Sequence, residues 1–351
     1  MLEPRPDAVF AVPGSLETPT GGYRYDREIV EGLRRRDLNI KVLDLGATFP
    51  FPSAADLRRA EQMVSDQPPG VPVIVDGLAY GVMPDAAANW ADNRPVIALV
   101  HHPLADEPGH DMPTRLQLLD DEARALRQAN AVVVTGAETA RLLAVDYGVA
   151  PTKLSIIRPG VTAARALPHA SGPVRLIAIG AVTVRKAFAD LVAALGRVEQ
   201  QDWTLTLVGA LDRDAGEVAR VRSAIDQFQL ADRITLAGAL NEAEKTAKLE
   251  DAHLFVASSL YEGYGMALAE AVATGLYAIT TDVGAARELV ADGSGAIVPV
   301  GDTGALTSAI DHAMERITGG SESERWTPTP RDGLSWDNAA RAFADLIRAL
   351  T

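Results

Sequence analysis

A chain of 351 residues, 47% hydrophobic and 23% charged, is long enough for two cored domains and has an ordinary globular composition, which excludes a disordered or fibrous protein. A formal net charge of −14 argues against nucleic acid as a partner and opposes general attraction to an anionic membrane surface. With no cysteine there is no disulfide, thiol nucleophile or thiolate metal site; with no sustained apolar run near residue 1, no signal peptide or integral membrane segment is expected, and the expected location is cytoplasmic.

In chain order, Ala8 to Val12 is a predicted strand, and residues 13–22 are a turn-rich connection ending in Thr20-Gly21-Gly22. Tyr23 to Arg36 follows with a helical pattern of Ile29, Val30 and Leu33, then a second strand at Lys41 to Leu45. Strand, glycine loop and helix in succession belong to doubly wound sheets, whose ligands gather at the carboxyl ends of the strands. Gly21-Gly22 either brings backbone close to a phosphate or sugar or makes a merely tight turn. Asp56 to Ser65 is a predicted helix, and Val71 to Asp76 and Pro95 to Val100 are predicted strands, the second ending in His101-His102-Pro103. These histidines have two readings from the residues: structural groups bonded to loop backbone, or part of a zinc site with Asp106 and His110, whose spacings match no strong metal motif. Leu118 to Gln128 reads as a helix with Asp120, Asp121 and Glu122 on its wet side, Ala131 to Thr135 as a strand and Glu138 to Tyr147 as a helix. Lys153 to Ile157 leads into Arg158-Pro159-Gly160-Val161, and the linker is expected at residues 168–173, where two prolines and a glycine interrupt any apolar period.

The alternation then restarts, with strands at Arg175 to Ile179, Thr204 to Val208 and Ile234 to Leu236 and helices at Phe188 to Val198 and Gly216 to Phe228, which calls for a second parallel sheet. The turn Gly180 to Lys186 sets Arg185 and Lys186 beside the next helix; a solvated charge pair is the plain alternative. Asp212-Arg213-Asp214 has the form of a metal-holding D-x-D but stands among charged neighbours and reads as a surface loop. His253 to Gly275 reads as strand, loop and helix: an apolar run ending in Ser258-Ser259, the loop Tyr261-Glu262-Gly263-Tyr264-Gly265, and a helix from Met266 stopped at Gly275. That loop delivers backbone N–H groups to a helix start, where an anion is favoured. Glu270, alone in an apolar run, needs a partner. Leu268 stands where a dinucleotide fingerprint wants glycine or alanine, which argues against a dehydrogenase. Thr303 to Ile317 is a predicted helix and residues 319–331 a polar connection. A terminal helix opens at Ser335-Trp336, with Trp336, Ala340, Phe343 and Ile347 on one stripe.

Glu262 and Glu270 have seven residues between them, and the run Ser259 to Ala271, S-x-x-E-G-Y-G-M-x-L-x-E-A, resembles the E-x7-E signature of retaining glycosyltransferases of family 4 with the GT-B fold. The resemblance extends to Arg158-Pro159-Gly160-Val161, to Gly238-Ala239-Leu240, to Gly284-Ala285 and Glu288, and to Gly295 and Pro299 to Asp302. It implies an α/β protein of two Rossmann-like, doubly wound parallel-sheet domains facing a central cleft. Residues 1–167 would bind the acceptor and residues 172–330 the donor, with the 334–351 helix crossing back to the first domain.

By the same resemblance, Glu262 faces the donor sugar and Gly263, Tyr264, Gly265, Met266, Ala267 and Leu268 touch sugar and phosphate. Glu270 holds the ribose hydroxyls, Gly238, Ala239 and Leu240 meet the nucleobase, and Gly21 and Gly22 approach the diphosphate. His101 lies near the transferred sugar, and Tyr23 and His102 near the acceptor. The family's diphosphate lysine corresponds to Lys186; its arginine, expected directly after Gly180, is replaced by Ala181, so Arg185 is the candidate substitute. The implied activity moves a hexose from a nucleoside-diphosphate sugar to a small-molecule or lipid-linked acceptor, with retention and with neither metal nor other cofactor. A sugar-nucleotide epimerase or phosphorylase of the same fold, and a non-catalytic two-domain binding protein, are the alternatives.

Overall fold

The computed structural model describes residues 4–18, 20–161, 172–290, 293–318 and 334–351. Two compact units form, Met1–Gly160 with Leu334–Thr351 and Val161–Gly333. Most of the expected linker at 168–173 and all of the connection at 319–331 lie outside the described residues.

The first unit holds β1 (Ala8–Val12), β2 (Ile40–Asp44), β3 (Val73–Asp76), β4 (Val96–Val100), β5 (Ala131–Val134) and β6 (Leu154–Ile156), paired in parallel in the order β2-β1-β3-β4-β5-β6. Parallel neighbours are joined by crossovers that lay helices on both faces, so central strands are buried on both sides. That is why β1 and β4 are continuous apolar runs without alternation, and β3 is one up to its closing Asp76, all three buried along their whole length. Val9, Val75, Ala98 and Val132 pack one face against Tyr80 and Trp90. Phe10, Ile74, Ile97 and Val133 pack the other, under Ile29 and Leu33 of the helix Gly21–Arg34 and Phe343 and Ile347 of the terminal helix Trp336–Leu350.

The second unit holds β7 (Val174–Ile179), β8 (Trp203–Val208), β9 (Ile234–Gly238), β10 (Leu254–Ala257), β11 (Tyr277–Thr281) and β12 (Gly295–Val298), again all parallel, in the order β12-β11-β10-β7-β8-β9. Strand order reverses between β1 and β3 in one sheet and between β7 and β10 in the other. At such a reversal the flanking crossovers leave in opposite directions and open a crevice at the strands' carboxyl ends.

Two local expectations are corrected. The first helix starts at Gly21, so the glycine pair is its opening turn and not a loop before it. Glu122 is buried on its helix, Met112–Gln128, because its Oε2 accepts from the amide of Leu104, 2.9 Å away. The helix Glu242–Asp251 carries almost no apolar signal, with Leu249 its buried residue; it is started by a reciprocal cap between Asn241 and Glu244. Among the described residues, no helix is long and apolar enough to cross a membrane.

Candidate active site

Polar side chains converge at the reversal point of each sheet. In the second unit the loop after β7 runs through a short 3-10 turn, Val184–Lys186, to Ala187, which takes the left-handed conformation at φ +48° before the helix Phe188–Leu195. A non-glycine residue there is strained by about 1–3 kcal/mol and persists when its surroundings fix it. The Ser258 hydroxyl supplies that constraint, donating to the carbonyls of Lys186 (2.9 Å) and Ala187 (3.1 Å), while the Leu260 amide donates to the Arg185 carbonyl (2.8 Å). Both donors come from the loop after β10, so the two loops are stitched together.

The stitching brings Arg185 and Lys186 onto Glu262. Lys186 Nζ bonds Glu262 Oε1, Arg185 donates to Oε2 at 3.0 Å and to the Tyr261 carbonyl at 3.1 Å, and the Ser259 hydroxyl donates to Oε1 at 2.7 Å. The Thr281 hydroxyl at the end of β11 holds the Ser259 carbonyl at 2.6 Å. Burial pushes the Glu262 carboxyl up, but the charges of Lys186 and then Arg185, with hydrogen bonds from Lys186 and Ser259, bring it down to about 2. The cluster of two cations and one carboxylate therefore carries a net positive charge. Gly180 makes room for it, since a β-carbon there would stand 2.5 Å from Lys186 Cε.

The same loop ends at Gly265, left-handed at φ +97°, which caps the helix Met266–Thr274 with backbone alone: no side chain caps this end and its first turn has no acid. Its orphan N–H donors lie beside Lys186, Glu262 and Tyr264, which share a small recess with Gly265, Ala267 and Leu268. Glu270, further along this helix, is 6% exposed and meets Lys245 Nζ at 2.9 Å. Gly238 closes β9 at φ +71°, with Ala239 and Leu240 following it. Asp214 is explained locally, as the cap of the helix Ala215–Gln227 through the Glu217 amide at 2.9 Å.

In the first unit, His101 follows β4 and its Nε2 stands 3.0 Å from Asp26 Oδ1 and 3.3 Å from Asp76 Oδ2. Facing two carboxylates, that nitrogen must carry its proton. Burial alone would lower the pKa of the ring, but Asp26, by charge and hydrogen bond, and then Asp76 raise it to about 10, so His101 is an imidazolium. Asp26 is fully buried, which pushes its own carboxyl above the usual carboxylate range against the pull of His101. The His101 ring packs over Gly22, whose β-carbon would stand 3.2 Å from Cδ2, and edge-on to Tyr25 at 5.4 Å. The space left by that glycine therefore takes the histidine. Tyr23 donates its hydroxyl to the Pro13 carbonyl; burial, then Asp76, Asp26 and Asp44, push it up to about 12.

The zinc grouping considered from sequence does not assemble. His102 pairs with Glu107 at 3.0 Å, Asp106 with Arg115 at 3.5 Å, and the His110 ring lies on Phe51 at 5.7 Å. His101 is bound to carboxylates, not to loop backbone. Among the described residues, Asp26, Asp76 and His101 are the grouping whose donor atoms lie close enough together, within 4.8 Å, to share a cation. Sequence reasoning missed Asp26, Asp76, Ser259 and Lys245. Asp76, an acid closing the apolar run VPVIVD at a strand end, was the one with a visible signal.

Residues 173–316 match the family model described as glycosyl transferases group 1. The chain is 25% identical over 288 residues to an MMP alpha-(1->4)-mannosyltransferase of Mycolicibacterium hassiacum, covering 77% of this chain and 68% of that one. It is 26% identical to a glycogen synthase of Mycobacterium tuberculosis (65% of this chain, 56% of the relative). It is 31% identical to a GDP-mannose:cellobiosyl-diphosphopolyprenol alpha-mannosyltransferase of Xanthomonas oryzae (43% and 40%), so the matched stretch spans about half the length of several of these relatives. Among solved structures, the fold is shared with sucrose-phosphate synthase from Thermosynechococcus elongatus (TM-score 0.78, 17% identity, 98% of this chain and 99% of that one). Anabaena HepE in complex with UDP and glucose shares it too (TM-score 0.68, 16% identity, 98% and 96%).

Proposed function

We propose that this chain, a group 1 glycosyltransferase with the GT-B fold, moves a hexose from a nucleoside-diphosphate sugar to an acceptor hydroxyl with retention of configuration and without a metal. The observation that carries this reading is the convergence of Arg185, Lys186 and the uncapped start of the helix Met266–Thr274 on one loop at the reversal point of the second sheet. Breaking the bond between an anomeric carbon and a diphosphate leaves negative charge on the phosphate and oxocarbenium character on the sugar. Cations and N–H groups fixed at the phosphate lower that barrier. Arg185, Lys186 and the amides from Gly265 to Leu268 supply them, with Arg185 in place of the arginine absent at Ala181.

Glu262 is held at a pKa of about 2, which makes it a poor proton acceptor near neutral pH. Its part is to orient the donor sugar and to hold the two cations apart until the diphosphate draws them. The departing phosphate, on the same face of the sugar, then takes the acceptor's proton, so no dedicated base is needed. His101, which the family resemblance puts near the transferred sugar, would offer a charged donor to a hydroxyl or phosphate oxygen. By the same resemblance Tyr23 and His102 would meet the acceptor, a small-molecule or lipid-linked hydroxyl.

Titration calorimetry with UDP-, GDP- and ADP-sugars tests the reading. At least one should bind the folded protein, and Lys186→Ala should lower turnover about 100-fold or more. A chain that binds none of them while folded is not a donor-dependent transferase. Loss of affinity alone in Lys186→Ala points to a plain binding protein, and a changed sugar nucleotide or released sugar without acceptor points to an epimerase or phosphorylase.

A further inference from the structure

Lys245 lies one turn into the helix Glu242–Asp251, which starts just after the Gly238–Leu240 turn at the end of β9. Its Nζ is 2.9 Å from Glu270 Oε1 and 3.1 Å from Glu242 Oε1. The lysine side chain is 13% exposed and that of Glu270 8%. Glu270 is set among buried Leu268, Ala269, Ala271 and Val272. Stability gives a weak reason for this pair, because removing both charges from water costs as much as their attraction returns, and apolar residues of the same volume serve a core as well.

The pair makes sense beside the other charged cluster. Arg185, Lys186 and Glu262 carry a net +1 beside the start of the helix Met266–Thr274, whereas Glu270, further along that helix, meets Lys245 and through it Glu242 of the helix Glu242–Asp251, a group of net −1. The first suits an anion; the second repels one and suits neutral hydroxyl donors, which gives a bound nucleotide a direction along the helix. A carboxylate has about four acceptor positions, and a lysine fixed on one oxygen orients the others.

We infer that Lys245 is a positioning residue, fixing the Glu270 carboxylate so that it accepts hydrogen bonds from the ribose hydroxyls of the donor nucleotide. The inference rests on the donor reading above. Its test compares UDP, GDP and ADP with their 2′-deoxy counterparts by calorimetry on the wild-type protein, Lys245→Met and Lys245→Arg. For whichever base binds, the wild type should prefer the ribonucleotide about tenfold or more, the loss expected for a hydrogen bond to a charged group. Lys245→Met should erase most of that preference by weakening the ribonucleotide and leaving the deoxy form unchanged, and Lys245→Arg should restore part of it. A preference intact in Lys245→Met, or equal weakening of both forms, overturns the inference alone. Failure of the wild type to bind any of the six overturns the donor reading and the inference with it. If Lys245→Met does not fold, Glu270→Gln carries the same comparison, and an undiminished preference there overturns the inference.

Discussion

His101 turns one nitrogen toward two buried carboxylates, and the proton it gains on folding ties its charge to the stability of the first unit. With its pKa raised to about 10, the folded chain binds more protons than the unfolded one from about pH 6.5 up to that value. Stability from this group is therefore complete below about pH 6.5 and declines as pH rises toward 10, by at most about 1.4 kcal/mol per pH unit. Urea unfolding of the wild type and His101→Asn between pH 7 and 10 checks this. The wild-type free energy should fall with pH across the range; in the variant the remaining fall comes from Asp26, which loses the lowering pull of His101, and should end at lower pH, so a fall that reaches pH 10 equally in both would mean His101 is not charged in the fold. Glu262 has the opposite sign, since its lowered pKa gives stability present above about pH 4.5 and lost as pH falls toward 2. Neither shift was legible in the sequence, because the partner of each group is supplied by a loop or helix far along the chain: Asp26 lies 75 residues from His101 and Lys186 lies 76 from Glu262.

The helix Met266–Thr274 shows what a single element contributes. Its start and stop are both left-handed glycines, Gly265 at φ +97° and Gly275 at φ +93°; the stop at Gly275 was legible in the sequence because only glycine adopts that backbone without strain, whereas the left-handed start at Gly265 was not read there. Gly265→Ala should cost about 1–2 kcal/mol of stability and, by shifting the helix's first amides, weaken donor binding more than the loss of stability alone explains. Calorimetry with the best donor, at a temperature where the variant is fully folded, separates the two effects; unchanged affinity would detach those amides from the diphosphate. The helix Glu242–Asp251 is the contrary case. Its ten residues hold one buried apolar side chain, so no hydrophobic period marks it, and the Asn241 cap that starts it looks like ordinary loop sequence.

For the molecule as a whole, the chain's end belongs to its beginning. Phe343 is fully buried in the cluster of Phe10, Ile29 and Ile97, so the terminal helix completes a face of the first sheet. Phe343→Ala should lower the unfolding free energy by about 3–5 kcal/mol, the usual cost of a large buried cavity. Urea titration followed by tryptophan fluorescence checks it, and a change under about 1 kcal/mol would remove the helix from that core.

What the sequence alone determined was everything carried by neighbours along the chain: alternating strands and helices, the apolar runs that require sheets covered on both faces, the glycine-bounded helix and the E-x7-E spacing. What only the tertiary structure decided was which charges meet, namely Asp26 and Asp76 around His101, Lys186 and Arg185 on Glu262, and Lys245 on Glu270. The reason is physical. Hydrophobic burial repeats with the period of each element and so leaves its mark in local sequence, whereas a buried ion pair depends on strand order and loop path, and these bring together side chains that share no period.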